Sequence, residues 1–179
     1  TSDSSILILG AHGRLGWALT QAFAQAGWRV VACARRPLPA LPGNVRQLSA
    51  EMHDASALLA QLGGQRIDVL AHAINPLYTE WRQHALALHE HVLWLASALN
   101  ASVLFPGNVY HYGKPIPARL DAATPACANT EKGRIRLEME HRLTQQTPQS
   151  IVLRAGDFFG GSQPGTWLDQ LIAKDMARG

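Results

Sequence analysis

Cysteine is nearly absent: the 179-residue chain has two, Cys33 and Cys127. They stand far apart, each among apolar or small residues. Neither a disulfide framework nor the paired spacing of a zinc site follows from them, so no metal centre is expected. Charge is also sparse, at 16%, and 16 Lys and Arg against 13 Asp and Glu leave a formal +3. That surplus is too small, and gathers into no basic run, to serve nucleic acid as a partner. No apolar run reaches the length of a membrane span. The opening residues Thr1-Ser2-Asp3-Ser4-Ser5 lack the basic-then-apolar order of a secretory signal. With the isolated cysteines, this predicts an intracellular, cytoplasmic protein without a membrane partner. There is no internal repeat and no low-complexity tract. What remains is an ordinary globular composition, 47% hydrophobic, in a chain long enough for one domain with its own core.

The organising stretch is Ile6-Leu7-Ile8-Leu9-Gly10-Ala11-His12-Gly13-Arg14-Leu15-Gly16. An apolar run opens into glycines spaced GxxGxxG, and a helical pattern follows at once. Leu15, Leu19, Ala22, Phe23 and Ala26 predict one apolar stripe on that helix, and Gly27 ends it. Arg29-Val30-Val31-Ala32-Cys33-Ala34 reads as the next strand. Strand, glycine turn, helix and strand are the context a dinucleotide fingerprint requires. Glycines suit this chemistry because side chains would hold a pyrophosphate away from the backbone, and the helix N-terminus then offers N–H groups and partial positive charge. The place that selects the cofactor, just after the second strand, holds Arg35-Arg36-Pro37 and no acid. An arginine fork suits a 2′-phosphate, so NADP(H) is expected in preference to NAD(H).

Further on, Val45-Arg46-Gln47-Leu48-Ser49 predicts a third strand. Asp54 caps a short helix that Gly63-Gly64 ends, and Ile67–Ala73 is an almost wholly apolar fourth strand. A long helix runs from Thr79 to Asn100 with a stripe of Trp81, Ala85, Leu88, Val92, Leu95 and Leu99. Its three histidines, His84, His89 and His91, have no HExxH spacing and read as a solvated polar face. Ser102–Phe105 predicts the fifth strand, and Pro106 to Pro125 a loop carrying Tyr110, His111 and Tyr112, at the end of the sheet where open α/β folds place their sites. A helix from Asn129 or Thr130 to Gln146 buries Ile135, Met139 and Leu143. Ser150–Leu153 is the sixth strand, and an amphipathic segment with Trp167, Leu168, Leu171, Ile172 and Met176 closes the chain. The expected fold is a Rossmann-like, doubly wound α/β/α sandwich on a mainly parallel sheet in the order 3-2-1-4-5-6.

The order of these elements, with the glycine triplet and four further segments, resembles the NAD-dependent epimerase/dehydratase family, in the extended and atypical branch of the short-chain dehydrogenase/reductases. The further segments are Ala50-Glu51-Met52-His53-Asp54, Asp68–Asn75, Val109-Tyr110 and Leu153-Arg154-Ala155-Gly156-Asp157. The resemblance implies that Gly10, Ala11, His12, Gly13, Arg14, Leu15 and Gly16 cradle the pyrophosphate. Glu51 and Met52 would meet the adenine, Ala73, Ile74 and Asn75 the adenosine ribose, and Ala155 and Gly156 the nicotinamide. It also implies a small-molecule substrate, a sugar nucleotide or another carbonyl or hydroxyl compound. Residues 1–179 read as the nucleotide-binding domain, with the family's C-terminal substrate domain absent or truncated.

The catalytic set departs from the family. Aligning the helix puts the family's lysine at Lys132, but its tyrosine falls on Ala128 and its serine or threonine on Pro106. A phenol lowered by a lysine is what shuttles the proton in that family. Lys132 is either a nicotinamide-ribose ligand or an exposed lysine at a helix start. Tyr110, Tyr112 and Asp157 are the substitute catalytic candidates, each with an ordinary structural alternative as a packed phenol or a turn cap. Two functions follow: an oxidoreductase or epimerase/dehydratase relative with unusual catalytic groups, or a catalytically silent NADP(H)-binding sensor. Leu86, Leu93 and Trp94 lie off the stripe of the long helix, and in the resembling family this helix and the next pair with their copies, so a homodimer is expected.

Overall fold

The computed structural model describes residues 3–51, 53–147 and 149–158. Met52 and the amphipathic segment from Trp167 to Met176 therefore lie outside the described residues. Among the described residues six strands form one sheet in the order β3-β2-β1-β4-β5-β6, every pairing parallel. In chain order the elements are β1 (Ser5–Leu9), α1 (Arg14–Gln25), β2 (Arg29–Cys33), β3 (Val45–Leu48), α2 (Ala55–Leu62) and β4 (Val69–His72). They continue with α3 (Trp81–Leu99), β5 (Ser102–Asn108), α4 (Glu131–Gln146) and β6 (Ser150–Ala155). This is the predicted doubly wound arrangement and strand order.

β1 lies at the centre because it is apolar on both faces, as a strand covered on two sides must be. Leu7 and Leu9 join Val31, Cys33 and Leu70 under α2, α3 and α4. Ile6 and Ile8 join Val30, Ala32 and Ala71 on the opposite face, under α1. α1 departs from its predicted stripe: the buried line is Gly16, Thr20 and Ala24, with Leu15, Leu19 and Phe23 only half-buried and Ala22 and Ala26 exposed. Small residues at four-residue spacing let the helix lie close on the sheet, and Thr20 satisfies its hydroxyl by donating to the Gly16 carbonyl at 2.8 Å.

The other caps fall where the sequence puts them. Asp54 accepts from the Ala57 N–H at 2.9 Å, and Gly63 ends α2 in the left-handed region. Thr130 accepts from the Gly133 N–H at 3.1 Å to start α4.

Three expectations are corrected. His89 is not on a solvated face: it is 0% exposed, and its Nε2 lies 2.8 Å from the Met139 carbonyl, tying α3 to α4. β5 runs on to Asn108 through Pro106. That proline is tolerated because its nitrogen faces the β4 side, and β4 pairs with β5 only as far as Leu104. Leu93 is buried in the chain's own core, and Leu86 packs half-buried against that core, so of the three residues off the stripe only Trp94 is left exposed, at 49%. On α4, Met139 and Leu143 are buried and Ile135 half-buried as expected, but Arg136 and Glu140 share that buried face.

Candidate functional site

The C-terminal ends of β1, β2 and β4 open into a cleft of about 790 Å³. Its floor is set by close approaches of backbone. Gly10 leaves β1 at φ +83°, and a Cβ there would sit 2.7 Å from the Ala73 carbonyl oxygen. A Cβ on Gly16 would collide with the Gly10 carbonyl. The buried Ala11 donates its N–H to the Cys33 carbonyl at 3.0 Å, which fixes the turn to β2. Gly13 is the N-cap of α1 and supplies no side-chain cap, so no side chain of its own competes for the N–H groups of the first turn. That turn is Arg14, Leu15 and Gly16, with the positive end of the helix dipole behind it. The fingerprint's three glycines thus have separate reasons: a left-handed turn, a bare cap facing the cleft and a helix-to-turn contact.

Gly10, His12, Gly13, Arg35, Arg36, Glu51, Ala73, Ile74 and Asn75 all line this cleft. Arg35 approaches Glu51 at 3.9 Å, and Arg36 approaches the His12 ring at 3.5 Å. Both guanidinium groups are exposed, so these contacts are weak and leave the forks available to an anion. Burial pushes the Cys33 thiol up to about 11, which keeps it an inert thiol in the wall. The far wall comes from α3, where His84, Leu88 and His91 face the cleft, and His53 stands across from them. Sequence reasoning missed this wall. Its signal was the seven-residue spacing of His84 and His91 around Leu88, one side of one helix.

The remaining candidates do not line the cleft. Tyr110 and Tyr112 form a single 3-10 turn, Tyr110–Tyr112, after β5. Tyr112 is buried and faces a second, smaller cavity of about 250 Å³ with Asp121 and Arg154. Tyr110 is half-buried beside the side chain of Tyr78. Burial, the neighbouring Tyr78 phenol and the charge of Asp157 push its phenol up to about 12, the direction opposite to that of a proton-shuttling base. Asp157 is exposed just beyond β6, beside Ala155 and Gly156. Lys132 donates to the Tyr78 carbonyl at 2.5 Å and lies over the Tyr78 ring. Ala128 is half-buried and carries no proton.

One turn along from Lys132, Arg136 is 6% exposed and donates to the Pro106 carbonyl, the position where a serine or threonine is absent. It stacks over Phe105 and Trp81. Burial pushes it down to about 10, still fully charged at neutral pH. Tyr78 and Arg136 are the two residues at this end that the sequence did not single out.

No protein-family model matches the chain, and no curated protein matches it. Solved structures do. The Bordetella bronchiseptica enzyme WbmH in complex with NAD⁺ is 17% identical, with a TM-score of 0.74 over 90% of this chain and 58% of that one. The dTDP-glucose 4,6-dehydratase of Bacillus anthracis in complex with NAD is 14% identical, with a TM-score of 0.75 over 98% of this chain and 62% of that one. A UDP-glucuronic acid 4-epimerase of Bacillus cereus, bound to a UDP-sugar and NAD, is 19% identical, with a TM-score of 0.64 over 84% of this chain and 55% of that one. At such identities the likeness establishes the shared Rossmann-type fold. The chain spans between half and two-thirds of the length of these three structures.

Proposed function

We propose that this chain is the nucleotide-binding part of a protein of the NAD-dependent epimerase/dehydratase type, and that it binds NADP(H). The observation that carries this reading is the glycine cradle. A Cβ on Gly10 or Gly16 would strike backbone, while the cap at Gly13 opens onto a cleft with two arginines at its rim. The turn from Gly10 through Ala11, His12, Gly13, Arg14 and Leu15 to Gly16 would hold a pyrophosphate. Arg35 and Arg36 would take a 2′-phosphate, Glu51 and Met52 the adenine, and Ala73, Ile74 and Asn75 the ribose. Lys132, Ala155 and Gly156 would serve the nicotinamide end. Bound there, a nicotinamide would supply hydride transfer. The fold's likeness to enzymes acting on UDP- and dTDP-sugars supports a sugar nucleotide, or another carbonyl or hydroxyl compound, as substrate. The two free, separated cysteines favour an intracellular setting.

Calorimetric titration with NADPH and NADH tests the cofactor. Tighter binding of NADPH is expected, and replacing Arg35 and Arg36 together by alanine should cut the NADPH preference at least about tenfold, the size of a charge-assisted pair to phosphate. An unchanged ratio would show that the arginines are ordinary surface charge.

A second reading, a silent NADP(H)-binding sensor, has its own observations: Ala128 in place of the family's tyrosine, and a Tyr110 phenol shifted upward. Turnover of carbonyl substrates with NADPH that disappears in Tyr110→Phe, Tyr112→Phe or Asp157→Asn supports the enzyme; tight NADPH binding without turnover supports the sensor.

Homodimerisation through α3 and α4 belongs to the same reading, now carried by the exposed Trp94 alone. Light scattering at micromolar concentration should give a dimer that Trp94→Glu converts to a folded monomer. A wild-type monomer would end the idea. Leu93→Glu is no test, because Leu93 is core.

A further inference from the structure

The cleft stops short of the groups that would serve the second half of a dinucleotide. Its wall runs through Asn75, Pro76 and Leu77 and resumes at Glu80, while Lys132 and Tyr110 lie beyond it. Between them stands a one-turn 3-10 helix, Tyr78–Glu80. Among the described residues, four contacts hold this segment down. The Trp81 indole N–H donates to the Pro76 carbonyl at 3.3 Å. Lys132 donates to the Tyr78 carbonyl at 2.5 Å and rests its ammonium on the Tyr78 ring. The Tyr78 hydroxyl lies beside the Tyr110 phenol. Yet Tyr78 is 43% exposed, so the segment is a surface turn fastened at a few points and not part of the core.

Resting on the dinucleotide reading above, we propose that Tyr78 is a latch that closes the second half of the cleft, and that a full dinucleotide must displace it from Lys132 while an adenosine 2′,5′-bisphosphate fragment binds without moving it. The physical basis is competition for one cation. A ligand hydroxyl that reaches the Lys132 ammonium must take the face that the Tyr78 ring now covers, or the bond now made to the Tyr78 carbonyl. The open half offers its glycine turn, arginines and α3 wall in the closed state already. A ligand confined to that half therefore sees no difference between latch open and latch closed. A ligand that needs Lys132 binds only the open population, and its apparent affinity falls by that fraction. Tyr78 thus sets the preference between a mononucleotide and a dinucleotide.

The test is calorimetry of NADPH and adenosine 2′,5′-bisphosphate with the wild-type chain, Tyr78→Ala and Tyr78→Phe. Tyr78→Ala, which takes the ring off Lys132 and leaves the backbone carbonyl bond in place, should tighten NADPH about fivefold, the size of a cation–π contact, and leave the fragment within about twofold. Tyr78→Phe, which keeps the ring over Lys132 and loses only the hydroxyl beside Tyr110, should fall between. Fragment binding with no gain for NADPH in Tyr78→Ala overturns the latch and spares the nucleotide site. Binding of neither ligand to any variant overturns the nucleotide reading and the latch with it. Hydrogen exchange supplies a second readout. Amides of Tyr78 to Trp81 should exchange faster in Lys132→Met and in the NADPH complex, but not in the fragment complex. Equal protection in all of these states overturns the latch.

Discussion

Glu140→Ala is expected to destabilise the chain by about 3–5 kcal/mol, the usual result of removing one partner from a buried charge cluster. Glu140 is 5% exposed, and its carboxylate holds Arg154 on β6 with a 2.7 Å bond from Nη2 and a 3.2 Å bond from Nε. One helical turn earlier on the same face of α4 lies Arg136, whose guanidinium is drawn toward its charged form by Glu140 and whose Nε has no hydrogen-bond partner among the described residues. The carboxylate thus pairs with one arginine and faces a second, buried one. Without it, the Arg136 charge remains in the core beside the Pro106 carbonyl, the Met139 sulfur, two aromatic faces and the Tyr110 phenol, with no carboxylate paired to it among the described residues. At this chain length the loss corresponds to roughly 6–20 °C in Tm. Arg154→Ala should cost less, because its side chain is one-third exposed and its removal leaves Glu140 beside Arg136. The double replacement Arg136→Met with Glu140→Leu should recover most of the loss, since apolar groups of similar volume need no counter-charge. Thermal unfolding of the three variants decides the matter. A Glu140→Ala protein within about 1 kcal/mol of wild type would show that the cluster carries no stability.

This cluster also marks where the sequence stopped being informative. The strands, the glycine triplet, the Asp54 and Thr130 caps and the Rossmann strand order follow from local signals, and all of them are found. Periodicity and turn chemistry act within a few residues, so a single chain displays them. The burial of Arg136 and Glu140 depends on β5 and β6, 30 and 14 residues distant for their two main partners. His89 looked like one of three solvated imidazoles because its hydrogen-bond partner, Met139, is 50 residues away. The α1 face was misjudged for a different reason. Hydrophobicity marks Leu15, Leu19 and Phe23, but closeness to the sheet is decided by absence of bulk, at Gly16, Thr20 and Ala24. At the site, the half built by the fingerprint was readable from residue types at fixed spacing. The other half was not: Lys132 was visible, but its partner Tyr78, 54 residues earlier, comes from a loop with no motif of its own.

The second large effect is acid instability below pH 6.5. His72, at the end of β4, is wholly enclosed, with its ring stacked on His89 at 5.3 Å and tilted against Phe105 at 5.2 Å. Among the described residues neither of its ring nitrogens has a hydrogen-bond partner, and His89 has one, the Met139 carbonyl. Burial pushes His89 down to about 4 and His72 well below the ordinary imidazole range. The facing charges are mixed. Arg136 lowers both, Arg142 lowers His89, and Glu90 and the Met139 carbonyl raise His89, but burial outweighs them. Both imidazoles are therefore neutral in the folded chain and protonate more readily once it unfolds. Below the ordinary value of 6.5 the unfolded state binds more protons, so stability falls as pH falls. The slope is about 1.4 kcal/mol per pH unit for each imidazole. For His89 it runs from 6.5 to about 4, a loss of about 3 kcal/mol. Stability should be level from pH 6.5 to about 8, above which the Cys33 thiol ionises in the unfolded chain before the folded one. The lowered carboxylates of Asp54, Asp68 and Glu138 act only nearer their own range, below pH 5, so the interval from pH 5 to 6.5 isolates the histidines. Urea unfolding across that interval should show the slope in wild type and about half of it in His72→Leu. At pH 7 the same variant should keep or gain stability, because leucine has nearly the volume of the ring and brings no unpartnered nitrogen into the core. Identical slopes in the two proteins would mean that His72 is not held neutral by its burial.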